Sequence, residues 1–241
     1  MRILVVALAL ALAAPRPPPK PAPVLVPAVV QTADGLTLEA SLAAPAKATR
    51  GVLLVHQNGR NRADWDALAA ALARDGDLVL TFDLRGHGAQ RKDPPVELTA
   101  ADYQAMQGDV TAALALLKSK GATTLSVVGA ELGANLVVNA AVADPAIVSV
   151  VLLSPGAELK GIIAIDAVQR LGGRPLAIVA AADDMAGDRA AAVLDQKAQG
   201  VHELYRLEKG GRGAQMLMRD PSLEPWIVGW IAAHWPPPPS K

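Results

Sequence analysis

Three glycine-bearing turns hold the residues whose types and spacing could do chemistry. In Val55-His56-Gln57-Asn58-Gly59, a turn can aim the backbone N–H of Gln57 or Asn58 at a developing negative charge. In Asp83-Leu84-Arg85-Gly86-His87-Gly88, the glycines permit a sharp bend, and His87 reads as a turn residue with local hydrogen bonds rather than as a base. In Gly129-Ala130-Glu131-Leu132-Gly133-Ala134-Asn135, a carboxylate stands between two glycines where a strand would enter a helix. A side chain so placed is exposed for nucleophilic or general-base work. The chain has no cysteine, which excludes thiolate chemistry and Cys-ligated metals. Its four histidines (His56, His87, His202, His234) include no pair at helical spacing, so no metal or other cofactor is expected.

Positioning those residues falls to alternating strands and helices. Val24–Val30 and Leu36–Leu42 read as strands joined through Asp34-Gly35, a hairpin turn. Apolar runs at Val52–Val55, Leu78–Phe82, Leu125–Val128, Val148–Leu153, Leu176–Ala180 and His202–Leu207 read as further strands. Helical spacing falls at Trp65–Arg74, Ala101–Lys118 and Leu132–Val142, near 160–171 and 188–199, and in a last helix. Trp226, Trp230 and His234 form one stripe on that helix, a core-packing pattern. The pattern predicts an α/β fold: a mostly parallel twisted sheet with helices on both faces and an N-terminal antiparallel hairpin. In such a sheet chemistry gathers at the carboxyl ends of the strands, where the three turns lie.

Taken together and in order, these segments resemble the α/β-hydrolase superfamily. The similarity is to bacterial members with a His-Gln-x-Gly turn, an Asp-x-Arg-Gly-His-Gly segment and a G-x-S-x-G elbow. It continues through Leu152-Leu153-Ser154-Pro155-Gly156, Pro175-Leu176-Ala177-Ile178-Val179, Ala182-Asp183-Asp184 and Gly210-Gly211-Arg212-Gly213, and spans about residues 34–235. The resemblance implies triad-equivalent positions at Glu131 for the serine, Asp184 (alternatively Asp183) for the acid and Arg212 for the histidine. It also implies oxyanion-equivalent positions at Gln57, Asn58 and Leu132. Two of the three triad residues are thus replaced. Arg212 cannot act as a base, because a guanidinium stays protonated. Glu131 could attack carbon through its carboxylate, but that route still needs a base for the second step. Glu131 and Arg212 are expected to form a charge-assisted pair, shared with Asp184, in the former site.

Composition bounds the partners. Lys+Arg and Asp+Glu are equal at 23 each, so no field favours nucleic acid. Arg2, the apolar run Ile3–Ala14 and Ala11-Leu12-Ala13 predict a signal peptide over 1–14, too short for a membrane span. A Pro-rich linker at 15–23, one domain at 24–235 and a Pro-rich tail at 236–241 would follow. Only about twenty residues separate Pro155 from Pro175, which leaves no room for a large cap and predicts a small or shallow pocket. The sequence therefore predicts an exported, periplasmic or extracellular protein with no stable span after signal removal. Its partner would be an unidentified small molecule or envelope protein. Hydrolysis through Glu131 and a structural role stand as alternatives.

Overall fold

A computed structural model describes residues 23–91 and 96–237. The export segment expected at 1–14 lies outside those residues, as do nearly all of the linker and residues 238–241 of the tail.

An eight-stranded sheet forms the centre. Strands β1 (Val26–Gln31) and β2 (Thr37–Ala43) make an antiparallel hairpin, its turn closed by Gly35 at φ +88°. Then follow β3 (Arg50–Val55), α1 (Asp66–Arg74), β4 (Leu78–Phe82), α2 (Ala100–Ser119), β5 (Thr124–Ala130), α3 (Leu132–Ala143) and β6 (Ile147–Leu153). A small hairpin, β7 (Glu158–Leu159) and β8 (Ile162–Ile163), precedes α4 (Ile165–Arg170), β9 (Leu176–Ala181) and α5 (Met185–Lys197). The chain closes with β10 (His202–Leu207), α6 (Gln215–Arg219) and α7 (Leu223–Ala233).

The sheet order is β1-β2-β4-β3-β5-β6-β9-β10, antiparallel at the first two contacts and parallel thereafter. Strand β4 is buried along its whole length and β9 likewise, so continuous aliphatic runs, not alternating ones, encode these strands. One core layer packs α2, α3, α4 and α5 against the sheet, and a second packs α1, α6 and α7 on the other face. Because β3 sends its helix to one face and the neighbouring β5 sends its helix to the other, a crevice opens between their carboxyl ends. The register sets Val55 beside Gly129, which brings the turn after β3 next to the turn after β5.

Two local readings need correcting. The stretch near 160–171 is helical only from Ile165 to Arg170. Before it, Lys160 and Gly161 both take positive φ (53° and 81°), the backbone of a tight two-residue hairpin turn. Helix α5 begins at Met185 rather than near 188, because Asp184 serves as its N-cap. Of the aromatic stripe, Trp230 is buried, Trp226 stacks on Tyr205 at 4.6 Å, and His234 stacks on Trp230 at 4.2 Å just past the helix end.

Candidate active site

Glu131 sits at a strained turn between β5 and α3, with φ +50° and ψ −111°. A non-glycine residue in this conformation costs on the order of 1–3 kcal/mol, so the surroundings must impose it. They do so through close approach of three backbones. A Cβ on Gly129 would lie 2.3 Å from the Gly133 carbonyl, and one on Gly133 would lie 2.3 Å from the Val55 carbonyl. Only glycines allow β5, α3 and the end of β3 to meet this tightly.

The Glu131 carboxylate is held by three donors from three segments. Its Oε2 accepts from the N–H of Leu132 at 2.7 Å and from the N–H of Asn58 at 3.1 Å. Its Oε1 accepts from Arg212 Nη2 at 2.8 Å. Glu131 is 14% exposed and Arg212 44%, so the pair is half-open to water. Asp184 stands apart from this pair. Its Oδ1 faces the N–H of Gly187 at 3.4 Å, while its Oδ2 is buried without a hydrogen-bond partner among the described residues. Asp183 holds the loop before Arg212, its Oδ1 accepting from Gly210 and Gly211 N–H at 3.0 and 2.9 Å. Those two bonds hold the Asp183 carboxyl below its ordinary pKa.

Gln57 contributes its side chain, not its N–H: Oε1 accepts from the N–H of Ala214 at 3.0 Å. Ser154, held at φ +47° and buried, accepts from the N–H of Gly213 at 2.9 Å. Neither role was legible from residue type; both are tertiary anchors for the loop that carries Arg212. Asn135 is a further residue the motif does not announce. Its amide donates to the Ile162 carbonyl at 2.8 Å and accepts from Gly156 N–H at 3.1 Å, which seats the β7–β8 hairpin over α3.

The two histidines near the site are both structural in geometry. His56 Nδ1–H donates to the Gln57 carbonyl (2.8 Å) and Nε2 accepts from Leu84 N–H (3.0 Å), which fixes a neutral tautomer. Burial pushes its pKa down to about 4. His87 Nδ1–H donates to the Arg85 carbonyl at 2.9 Å, and burial lowers its pKa too. Its Nε2 is then a lone pair 3.1 Å from the Asn58 amide, whose NH2 end reaches it by a half-turn. A cleft of about 620 Å³ opens beside His87, lined by Arg60, Arg91, Leu98 and Tyr103 among others; Glu131 and Arg212 do not line it.

A sequence model of the alpha/beta hydrolase family matches residues 52–241. The chain belongs to that family. Among curated proteins none matches it in sequence. Solved structures agree with the alpha/beta hydrolase fold at low identity. A dienelactone hydrolase from Anabaena variabilis superposes with TM-score 0.74 at 18% identity, covering 89% of this chain and 100% of that one. An esterase from Pyrococcus furiosus gives TM-score 0.72 at 15% identity, covering 87% and 92%. A hydrolase from Pseudomonas aeruginosa gives 0.67 at 17%, covering 85% and 98%.

Proposed function

We propose that this chain is an exported bacterial alpha/beta hydrolase that no longer hydrolyses esters by the serine route and instead binds a ligand or partner in the cell envelope. The observation that carries this reading is the seat of the Glu131 carboxylate. The N–H groups of Asn58 and Leu132 converge on Glu131 Oε2, at 3.1 and 2.7 Å, where the family resemblance places oxyanion donors. Donors already engaged by the protein's own anion are not free to stabilise a tetrahedral intermediate. Arg212 supports the same reading, since it cannot accept a proton from a hydroxyl. Export rests on Arg2 and the apolar run Ile3–Ala14, with small residues following.

The test is turnover of short p-nitrophenyl esters by the purified chain. No turnover above buffer is expected. Turnover that disappears in Glu131→Gln would overturn this reading in favour of a second one, in which Glu131 attacks as a carboxylate nucleophile. That second reading draws on the retained elbow, where Glu131 keeps the positive φ of an exposed nucleophile. Mass spectrometry of cell fractions tests export: a chain lacking about its first fourteen residues is expected outside the cytoplasm.

A further inference from the structure

We propose that the N–H groups of Asn58 and Leu132, together with the Arg212 guanidinium, form a receptor for a carboxylate, and that Glu131 is its resident, displaceable occupant. A ligand carrying a carboxylate would bind by taking the place of Glu131. This inference rests on the reading of the chain as a non-hydrolytic binding protein.

The donor set points to the ligand class. Two amides meet one oxygen at 2.7 and 3.1 Å, and a guanidinium nitrogen meets the other at 2.8 Å. One oxygen doubly bonded to N–H groups and one paired with a cation is what a carboxylate offers; an alcohol or amide lacks the second anionic oxygen. The guanidinium also favours charge over a neutral ester carbonyl.

The two backbone donors, and the loop that carries Arg212, are held by contacts other than Glu131. The N–H of Leu132 is fixed at the start of α3. The Asn58 turn is tied by Arg60 N–H to the Gln57 carbonyl (3.2 Å) and by the His87 contact to the Asn58 side chain (3.1 Å). The backbone around Arg212 is pinned on both sides, by Asp183 to Gly210 and Gly211, by Ser154 to Gly213 and by Gln57 to Ala214. A Cβ on Gly213 would lie 2.1 Å from Gln57 Oε1, so the loop is seated closely on its anchor. When Glu131 swings away, the amides and the loop remain, so the two backbone donors are already organised and the guanidinium stays tethered beside them.

The route in is open on the arginine side. Arg212 is 44% exposed while Glu131 is 14% exposed, so an incoming carboxylate can pair with the guanidinium before Glu131 leaves. The resident carboxylate competes at the high effective concentration of a tethered group. Binding to the unaltered chain is therefore weak, and removing the side chain strengthens it.

The experiment follows the Asn58 and Leu132 amides by 1H–15N correlation spectra while sodium acetate is added at constant ionic strength. N-acetyl-Ala-Ala forms a second arm, to separate a peptide C-terminus from a free organic acid; its C-terminal amide and sodium chloride are controls. Saturable shifts at both amides are expected in the unaltered chain, with affinity at least about tenfold higher in Glu131→Ala. Arg212→Gln is expected to weaken binding by about tenfold. No saturable shift at these amides in folded Glu131→Ala overturns the receptor. Shifts in that variant but none in the unaltered chain overturn the claim that Glu131 is displaceable. If Glu131→Ala fails to fold, Glu131→Gly suits the positive φ and replaces it, and the unaltered chain still decides displaceability. Ester turnover by the unaltered chain would instead overturn the underlying reading while leaving the titration unaffected.

Discussion

The turns after β4 and β5 flank the turn after β3, yet they treat charge in opposite ways. After β4, Arg85 donates to Asp109 from Nε at 3.0 Å and Nη2 at 2.6 Å, and to Asp34 from Nη1 at 2.8 Å. Arg85 is 11% exposed and Asp109 fully buried, and the histidines beside them are closed into backbone hydrogen bonds. Arg85 thereby joins the turn after β4 to the β1–β2 hairpin through Asp34 and to α2 through Asp109. After β5, Glu131 and Arg212 are only partly buried, and their contacts cross between segments that other anchors already hold. The first turn is a clamp whose loss loosens the fold. The second is an anion seat whose occupant can change while the seat persists.

That difference gives a ranked series of measurements by urea or thermal unfolding. Arg85→Ala should have the largest effect, a loss of about 3–5 kcal/mol, because Asp109 would be left buried without a counter-charge. If Arg212→Ala destabilises as much, the distinction between clamp and seat is wrong.

The next effect is set by pH. His56 has its pKa lowered to about 4 in the folded chain, against an ordinary value of 6.5. The unfolded chain therefore binds the extra proton first. Stability is full above about pH 6.5 and falls as pH drops through the folded value, by on the order of 3 kcal/mol. Protonation also removes the acceptor for Leu84 N–H. In His56→Gln this part of the pH dependence should disappear; an unchanged profile would assign the acid lability elsewhere.

Gly213→Ala tests the anchoring of the Arg212 loop. With φ +60° and a clash at Gln57, it should cost about 2 kcal/mol and shift the Arg212 contact. The smallest effect belongs to the pair itself. A double-mutant cycle on Glu131 and Arg212 should give a coupling of about 1 kcal/mol, as for partly exposed ion pairs. Glu131→Ala alone should be more harmful than both residues changed to apolar ones, since the single change leaves the guanidinium unpaired.

The reach of the sequence follows the range of the interactions. Strands such as Leu78–Phe82 were legible because a buried parallel strand needs an unbroken aliphatic run, and the elbow because three backbones in contact demand glycines. Local turn chemistry was easier to miss: Lys160-Gly161 lies in a stretch whose apolar spacing suits a helix, yet both residues take positive φ. The short helix α6 (Gln215–Arg219) carries too few residues to show a period. At the site, the flanking glycines marked Glu131 and the family resemblance pointed to Arg212, whereas the roles of Gln57, Ser154 and Asp183 depend on where a loop some thirty to more than one hundred and fifty residues away comes to rest. Side-chain-to-backbone bonds of that kind have no spacing to read.

The most direct measurement is the 1H–15N spectrum of Glu131→Gln beside that of the unaltered chain. Replacing the carboxylate with an amide removes the charge from the hydrogen bonds to Leu132 and Asn58, so both amide protons should move upfield together, while amides remote from the seat stay in place. Unmoved signals for both residues would show that the Glu131 carboxylate does not occupy the seat, and the central claim would fall.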